Sequence, residues 1–284
     1  MEEERFPIQT PKQLKNWINN VAKKNGLVAN MVLQNFMMER LLERIAVSRY
    51  RDNFILKGGF LIAAMVGIDM RSTMDMDTTI KGLPVSKEKI EAIVSEILAI
   101  DISDHVTFHI KSMKPVHNEG SYEDFRIGIE GTFFTIRVNM KLDITTGDTI
   151  IPSEMEYSFK LMFEDRSIQI KAYNLNTILA EKVESILVRN VSNTRARDFY
   201  DVYILLTTRT GDIVPDELYD VILRKAEERH TTEYVRNYKK YIEDIRESKD
   251  LSDIWSSYQL KYTYAADIAF EDIVNSVERI FLIR

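Results

Sequence analysis

Two aspartates one residue apart, Asp75 and Asp77, are the side chains of this sequence best placed to do chemistry together. Alternate residues of a strand project to one side, so the two would share a face while Met74 and Met76 turn the other way. Neighbouring carboxylates repel unless one is protonated or a cation lies between them. Their oxygens suit Mg²⁺, which commonly shares its shell with substrate phosphates. Upstream, Gly58 and Gly59 follow a short apolar run, and a glycine pair offers phosphates a bare backbone. Each half alone has an ordinary explanation, since Asp-x-Asp and Gly-Gly are both frequent in turns. The order strand, glycine pair, helix and acid-bearing strand points to a metal-dependent enzyme acting on a nucleoside triphosphate.

Other residues extend this pattern. Over 135–144 the chain alternates, with Ile136, Val138, Met140, Leu142 and Ile144 on one face and Arg137, Asn139, Lys141 and Asp143 on the other. Asp143 could therefore stand beside the Asp75/Asp77 strand, and three convergent carboxylates can hold two divalent ions. The alternative is a solvated face where Arg137 and Lys141 neutralise Asp143. Lys182 falls within the helical stripe of Ile178, Leu179, Val183, Ile186 and Leu187, with Glu181 and Glu184 outside it. An inward ammonium needs an anion, a phosphate or the metal-bound acids, unless its head snorkels to water. Asp198 and Asp201 are i, i+3 neighbours on the less apolar side of the next helix, where acids in a first turn are also simply favourable. Arg189, Arg195 and Arg197 could meet phosphates or pair with nearby acids.

The elements that must position these groups read as follows. Thr10-Pro11-Lys12-Gln13 forms a capping signal for a helix ending near Gly26, and a second helix runs over about 30–50. Strands are predicted over 54–56 and 74–80, with a helix over 60–66 between them and another after Ser86. Residues 125–129 and 133–144 read as a hairpin around Glu130-Gly131, and 157–163 with 167–173 as a second. Beyond Asn174 the pattern is helical. The predicted organisation is a mixed α/β domain, 1–173, followed by a helical domain, 174–284, that contributes Lys182 and Asp198/Asp201.

Bulk properties narrow the classes. The chain has 284 residues, no cysteine and a net charge of −6. Thiolate metal sites and disulfides are excluded, and the four histidines His105, His109, His117 and His230 leave little for a zinc cluster. An acidic total argues against broad non-specific nucleic-acid binding but not against a local RNA groove. The longest uncharged apolar stretch, 60–68, is too short to span a bilayer, and the acidic amino terminus lacks signal-peptide character. A cytoplasmic location is expected.

Four pieces then resemble the AbiEii/AbiGii toxin family. They are Glu39-Arg40-Leu41-Leu42-Glu43-Arg44 with Ser48; Leu56-Lys57-Gly58-Gly59 followed by Arg71-Ser72-Thr73-Met74-Asp75-Met76-Asp77; Leu179-Ala180-Glu181-Lys182 with Arg189; and Arg197-Asp198-Phe199-Tyr200-Asp201. The resemblance implies an α+β fold with a polymerase β-like nucleotidyltransferase core and a helical carboxy-terminal domain. It implies Asp75, Asp77 and Asp143 as metal ligands, two Mg²⁺ ions and an NTP substrate. Lys57, Gly58, Gly59, Arg71, Thr73 and Lys182 are implied to contact the nucleotide, with Lys182, Asp198 and Asp201 in the later active-site motifs. A further carboxy-terminal aspartate is expected in some members, Asp267 and Asp272 being the candidates. One departure is that Gly58-Gly59 replaces the frequent Ser-Gly or Gly-Ser pair, so no serine hydroxyl is offered there. The implied activity is that of a type IV toxin–antitoxin and phage abortive-infection protein, transferring nucleotides to RNA, notably the tRNA 3′ end, and so stopping translation. The implied partner is an AbiEi-type antitoxin, a repressor that need not form a stable complex with its toxin. The rivals are an Asp-x-Asp glycosyltransferase and an inactive RNA- or protein-binding module.

Overall fold

A computed structural model describes residues 6–83, 86–116 and 124–283; His117 lies outside them. The chain divides into two units, 1–148 with 154–172, and 149–153 with 173–284. The short segment 149–153 thus belongs with the carboxy-terminal unit.

The first unit is a seven-stranded mixed sheet in the order β3-β4-β5-β2-β1-β7-β6. Its strands are β1 (Phe54–Lys57), β2 (Asp75–Ile80), β3 (Val106–Val116), β4 (Asp124–Phe133), β5 (Ile136–Thr146), β6 (Met155–Lys160) and β7 (Ser167–Ala172). The β1/β7 and β2/β5 pairs are parallel and the others antiparallel. Helices α1 (Pro11–Asn25), α2 (Ala29–Val47), α3 (Gly58–Val66) and α4 (Lys87–Leu98) complete it. Thr10 caps α1 by accepting from the Gln13 amide, Gly26 ends it in the left-handed region, and Ser86 caps α4.

Alternation decides which sheet face is covered. Met76, Val138, Met140, Leu142 and Ile144 are buried, as are Ile127 and Ile129 of β4. A Cβ on Gly131 would meet Phe108 and Met37, so α2 lies on this apolar side, where side chains must leave water. The opposite face carries Asp75, Asp77, Lys141 and Asp143. Burying one face fixes the strand register.

The β4–β5 turn differs from expectation. It lies at Phe134-Thr135, not at Glu130-Gly131, which are interior to β4. Phe134 takes the left-handed conformation with φ 51° that a two-residue hairpin requires. A bulky aromatic is an unusual occupant of that region, so composition does not flag the turn.

The second unit is helical: α5 (Leu175–Arg189), α6 (Ala196–Thr208), α7 (Pro215–Glu228), α8 (Thr232–Arg236), α9 (Tyr238–Glu247), α10 (Lys249–Lys261) and α11 (Phe270–Ile280). Helix α5 packs on both α6 and α7. It therefore has two buried flanks, and Glu184, predicted outside the stripe, is buried with Arg229 and Thr231 as partners. Among the described residues no helix is long and apolar enough to cross a membrane.

Candidate active site

Strand β1 runs straight into the glycine pair. Gly58 has φ +67°, and a Cβ built on it would lie 2.1 Å from Asp77 Oδ2. The Asp77 carboxylate thus rests on bare glycine backbone, an approach no other residue type permits. A Cβ on Gly59 would lie 2.8 Å from Arg71 Nη2 and 3.0 Å from Thr73 Oγ1. Arg71 and Thr73 are both buried. The loop they occupy is tied down by Asn35 of α2, whose Nδ2 donates to the Thr73 carbonyl at 2.9 Å.

The acids share the polar face. Asp77 pairs in register with Asp143 across the parallel β2/β5 ladder, and Asp75 with Lys141. Lys141 Nζ stands 4.0 Å from Asp75 Oδ1. A hollow of about 300 Å³ beside Asp75 is lined by Gln34, Gly128, Asn139 and Lys141. A larger one, about 1230 Å³ between α4 and β3, contains none of the predicted site residues.

Among the described residues no group of three His, Cys, Asp or Glu side chains is arranged to hold a metal ion. Asp77 lies against Gly58 beyond β1, whereas Asp143 is held from β4 by Arg126. Arg126 donates from Nε to Asp143 Oδ1 at 2.8 Å and from Nη2 to Oδ2 at 2.7 Å. Hydrogen bonding and charge from Asp143, with Asp75 and Asp77 adding to them, raise the guanidinium above its ordinary value. As hard oxygen donors on one strand face, Asp75 and Asp77 fit a divalent cation. Asp143, in register with Asp77, is engaged by Arg126.

Lys57, pointing to the same face, is nearly buried. Its Nζ lies 2.5 Å from Asp148 Oδ2, which also accepts from Thr79 and Thr145 at 2.7 Å each. Burial would raise the Asp148 carboxyl, but Lys57 and the two threonine hydroxyls hold it well below the usual carboxylate range.

In the helical unit, Lys182 Nζ lies 2.6 Å from Asp198 Oδ1 and 2.8 Å from Asp201 Oδ2. Both acids are buried, Asp201 fully. One cation on α5 pairs with both acids, and buried charge survives only with such pairing. Nearby, Arg197 Nη2 approaches the Tyr262 hydroxyl at 3.5 Å, and Arg189 donates to Ser185. Asp272 accepts from the Ala269 amide at the start of α11, and Asp267 is exposed.

Sequence reasoning missed Arg126 and Asp148. Arg126 stands directly across from Asp143 in the β4/β5 ladder, and a correctly placed turn would have revealed it. Asp148 follows Gly147 in a loop and carries no pattern that announces it.

A family model described as "Nucleotidyl transferase AbiEii toxin, Type IV TA system" matches residues 40–276. No curated protein matches the chain in sequence. Among solved structures, a proposed nucleotidyltransferase from Helicobacter pylori is 13% identical, with a TM-score of 0.49 over 89% of this chain and 96% of its own. The Helicobacter pylori protein JHP933 is 13% identical, with a TM-score of 0.46 over 86% of this chain and 88% of its own. An antigenic nucleotidyltransferase-like protein from Paracoccidioides brasiliensis is also 13% identical, with a TM-score of 0.41 over 71% of this chain and 92% of its own.

Proposed function

The chain belongs to the AbiEii nucleotidyl transferase toxin family of type IV toxin–antitoxin systems, and on that premise we propose that it transfers a nucleotide from an NTP to an RNA, with the 3′ end of tRNA as acceptor. The observation that carries this reading is the Asp77 carboxylate lying against the Gly58 backbone, with Asp75 and Asp143 on the same sheet face. Anionic side chains beside a bare glycine turn support this reading.

Asp75 and Asp77 would hold the divalent ion, with Asp143 the third candidate ligand. A bound Mg²⁺ supplies Lewis acidity and neutralises charge on the transferred and leaving phosphates. The chain's own part is positional. Gly58 and Gly59 leave room for Asp77, Arg71 and Thr73 where a side chain would collide, and the bare backbone of such a turn can present amides to phosphate oxygens. Arg71 and Thr73 brace the turn from beneath, and Lys57, engaged by Asp148, fixes the strand end that precedes it. Lys182, held between Asp198 and Asp201, is proposed to answer the negative charge of the departing pyrophosphate. Blocked tRNA ends would stop translation, which suits a toxin restrained by a repressor-type antitoxin and used in abortive infection.

The test is incubation of the purified protein with each labelled NTP, Mg²⁺ and tRNA. Label in the tRNA band, lost in Asp77→Asn, is the expected result. No transfer from any NTP to any RNA, or undiminished transfer by Asp77→Asn, overturns the proposal.

A further inference from the structure

We propose that Arg126 is a positioning residue that gates the third carboxylate, keeping Asp143 from the metal site until nucleotide draws the guanidinium away. The inference rests on the site proposed above. It starts from the ion pair itself: both Asp143 oxygens are taken, at 2.8 and 2.7 Å, by one planar fork. Bidentate charge-assisted pairs of this kind are the strong ones. A carboxylate so engaged has one lone pair on each oxygen taken and its plane held by the guanidinium, leaving only the outward pairs for a cation.

The pair is nonetheless placed to open. The Arg126 side chain is 51% exposed, so its release requires no repacking of the core. It stands on the face that carries Asp75 and Asp77, across β5 from them. A triphosphate arriving at Gly58 and Gly59 would bring oxygens that match the same guanidinium fork. Exchanging Asp143 for phosphate keeps Arg126 paired and frees the acid in one movement. Lys141 is the natural contrast. It lies on the same face, but its ammonium is a single point of contact at 4.0 Å from Asp75 and does not touch Asp143.

Two opposite consequences follow. Without nucleotide, the closed pair lowers the population of the cation-competent state, and apparent affinity falls by that fraction. With nucleotide, Arg126 contributes a phosphate contact. Removing it should therefore tighten binding of the bare cation and weaken binding of NTP, a pair of shifts that a purely structural residue would not produce.

The experiment titrates Mn²⁺ into the full chain without nucleotide, reading free Mn²⁺ by electron paramagnetic resonance. Arg126→Gln should bind about tenfold more tightly than the unaltered protein, and Lys141→Gln no more than about threefold, since one loses a competitor and the other only a nearby charge. Arg126→Lys, unable to form the fork, should fall between. A non-hydrolysable NTP analogue should bind Arg126→Gln at least about threefold more weakly. Thermal melting near that of the unaltered protein establishes that the variants fold. Mn²⁺ binding that Asp77→Asn abolishes but Arg126→Gln leaves unchanged overturns the gate alone, as does equal tightening by Lys141→Gln. Mn²⁺ binding insensitive to Asp77→Asn overturns the site assignment and the gate together.

Discussion

The Asp77 carboxylate occupies the space in which a side chain at Gly58 would begin, with Oδ2 2.1 Å from the position of a Gly58 Cβ. An acid of one strand and a glycine after its neighbour thus define each other's geometry. Gly58→Ala should suffer twice. Its φ of +67° is left-handed, a conformation costing an L residue about 1–2 kcal/mol, and the methyl must push Asp77 aside. Urea unfolding should show a loss of at least that size, and nucleotidyl transfer should fall by about 100-fold or more through misplacement of the acid. Full activity in Gly58→Ala would show that Asp77 need not sit where it does.

Lys182 forms ion pairs with two buried acids at once. Lys182→Met should destabilise the protein by about 3–5 kcal/mol, because breaking a buried pair leaves charge uncompensated. Adding Asp201→Asn should recover part of that loss, which a double-mutant cycle by urea denaturation measures. If the double variant is as unstable as the single one, Asp201 does not need the lysine. Activity should not return with stability, since Lys182 is proposed to serve the leaving group as well.

Glu39 gives stability a pH dependence with a definite sign. Burial pushes its carboxyl up to about 7, against the lowering pull of Arg40, from an ordinary 4.5. The folded state therefore holds a proton that the unfolded chain releases between these values. This contribution is complete below about pH 4.5 and is lost as pH rises through about 7, roughly 3 kcal/mol in all. Glu39→Gln should remove that slope between pH 5 and 8 in urea unfolding; an unchanged slope would place the proton elsewhere. Asp148 works oppositely, since its carboxyl is held below its ordinary 3.8. Its contribution is present above that value and is lost as pH falls below it.

Much of this was legible from residue order. The Asp75/Asp77 spacing, the glycine pair and the alternation from Ile136 to Ile144 are local, because strand and helix periods are local properties of the backbone. They sufficed for the mixed sheet, its covered face, the helical carboxy-terminal half and the family resemblance. What failed was the join between local pieces. A turn centred on Glu130-Gly131 would set Arg126 across from Thr135, whereas the turn at Phe134-Thr135 sets it across from Asp143. The glycine was a reasonable turn signal, but Gly131 is glycine because Phe108 and Met37 leave no room for a Cβ.

The chemical types available, hard carboxylates, bare backbone and a lysine in an acid-rich helical pair, were therefore set by the sequence as written. Which partner each charge takes was settled only in three dimensions. Lys57 chose Asp148, Asp143 chose Arg126, and Asp198 and Asp201 were buried around Lys182. Charge pairing depends on distances of a few ångströms between segments far apart in the chain, and only the packed sheet and helices supply those distances.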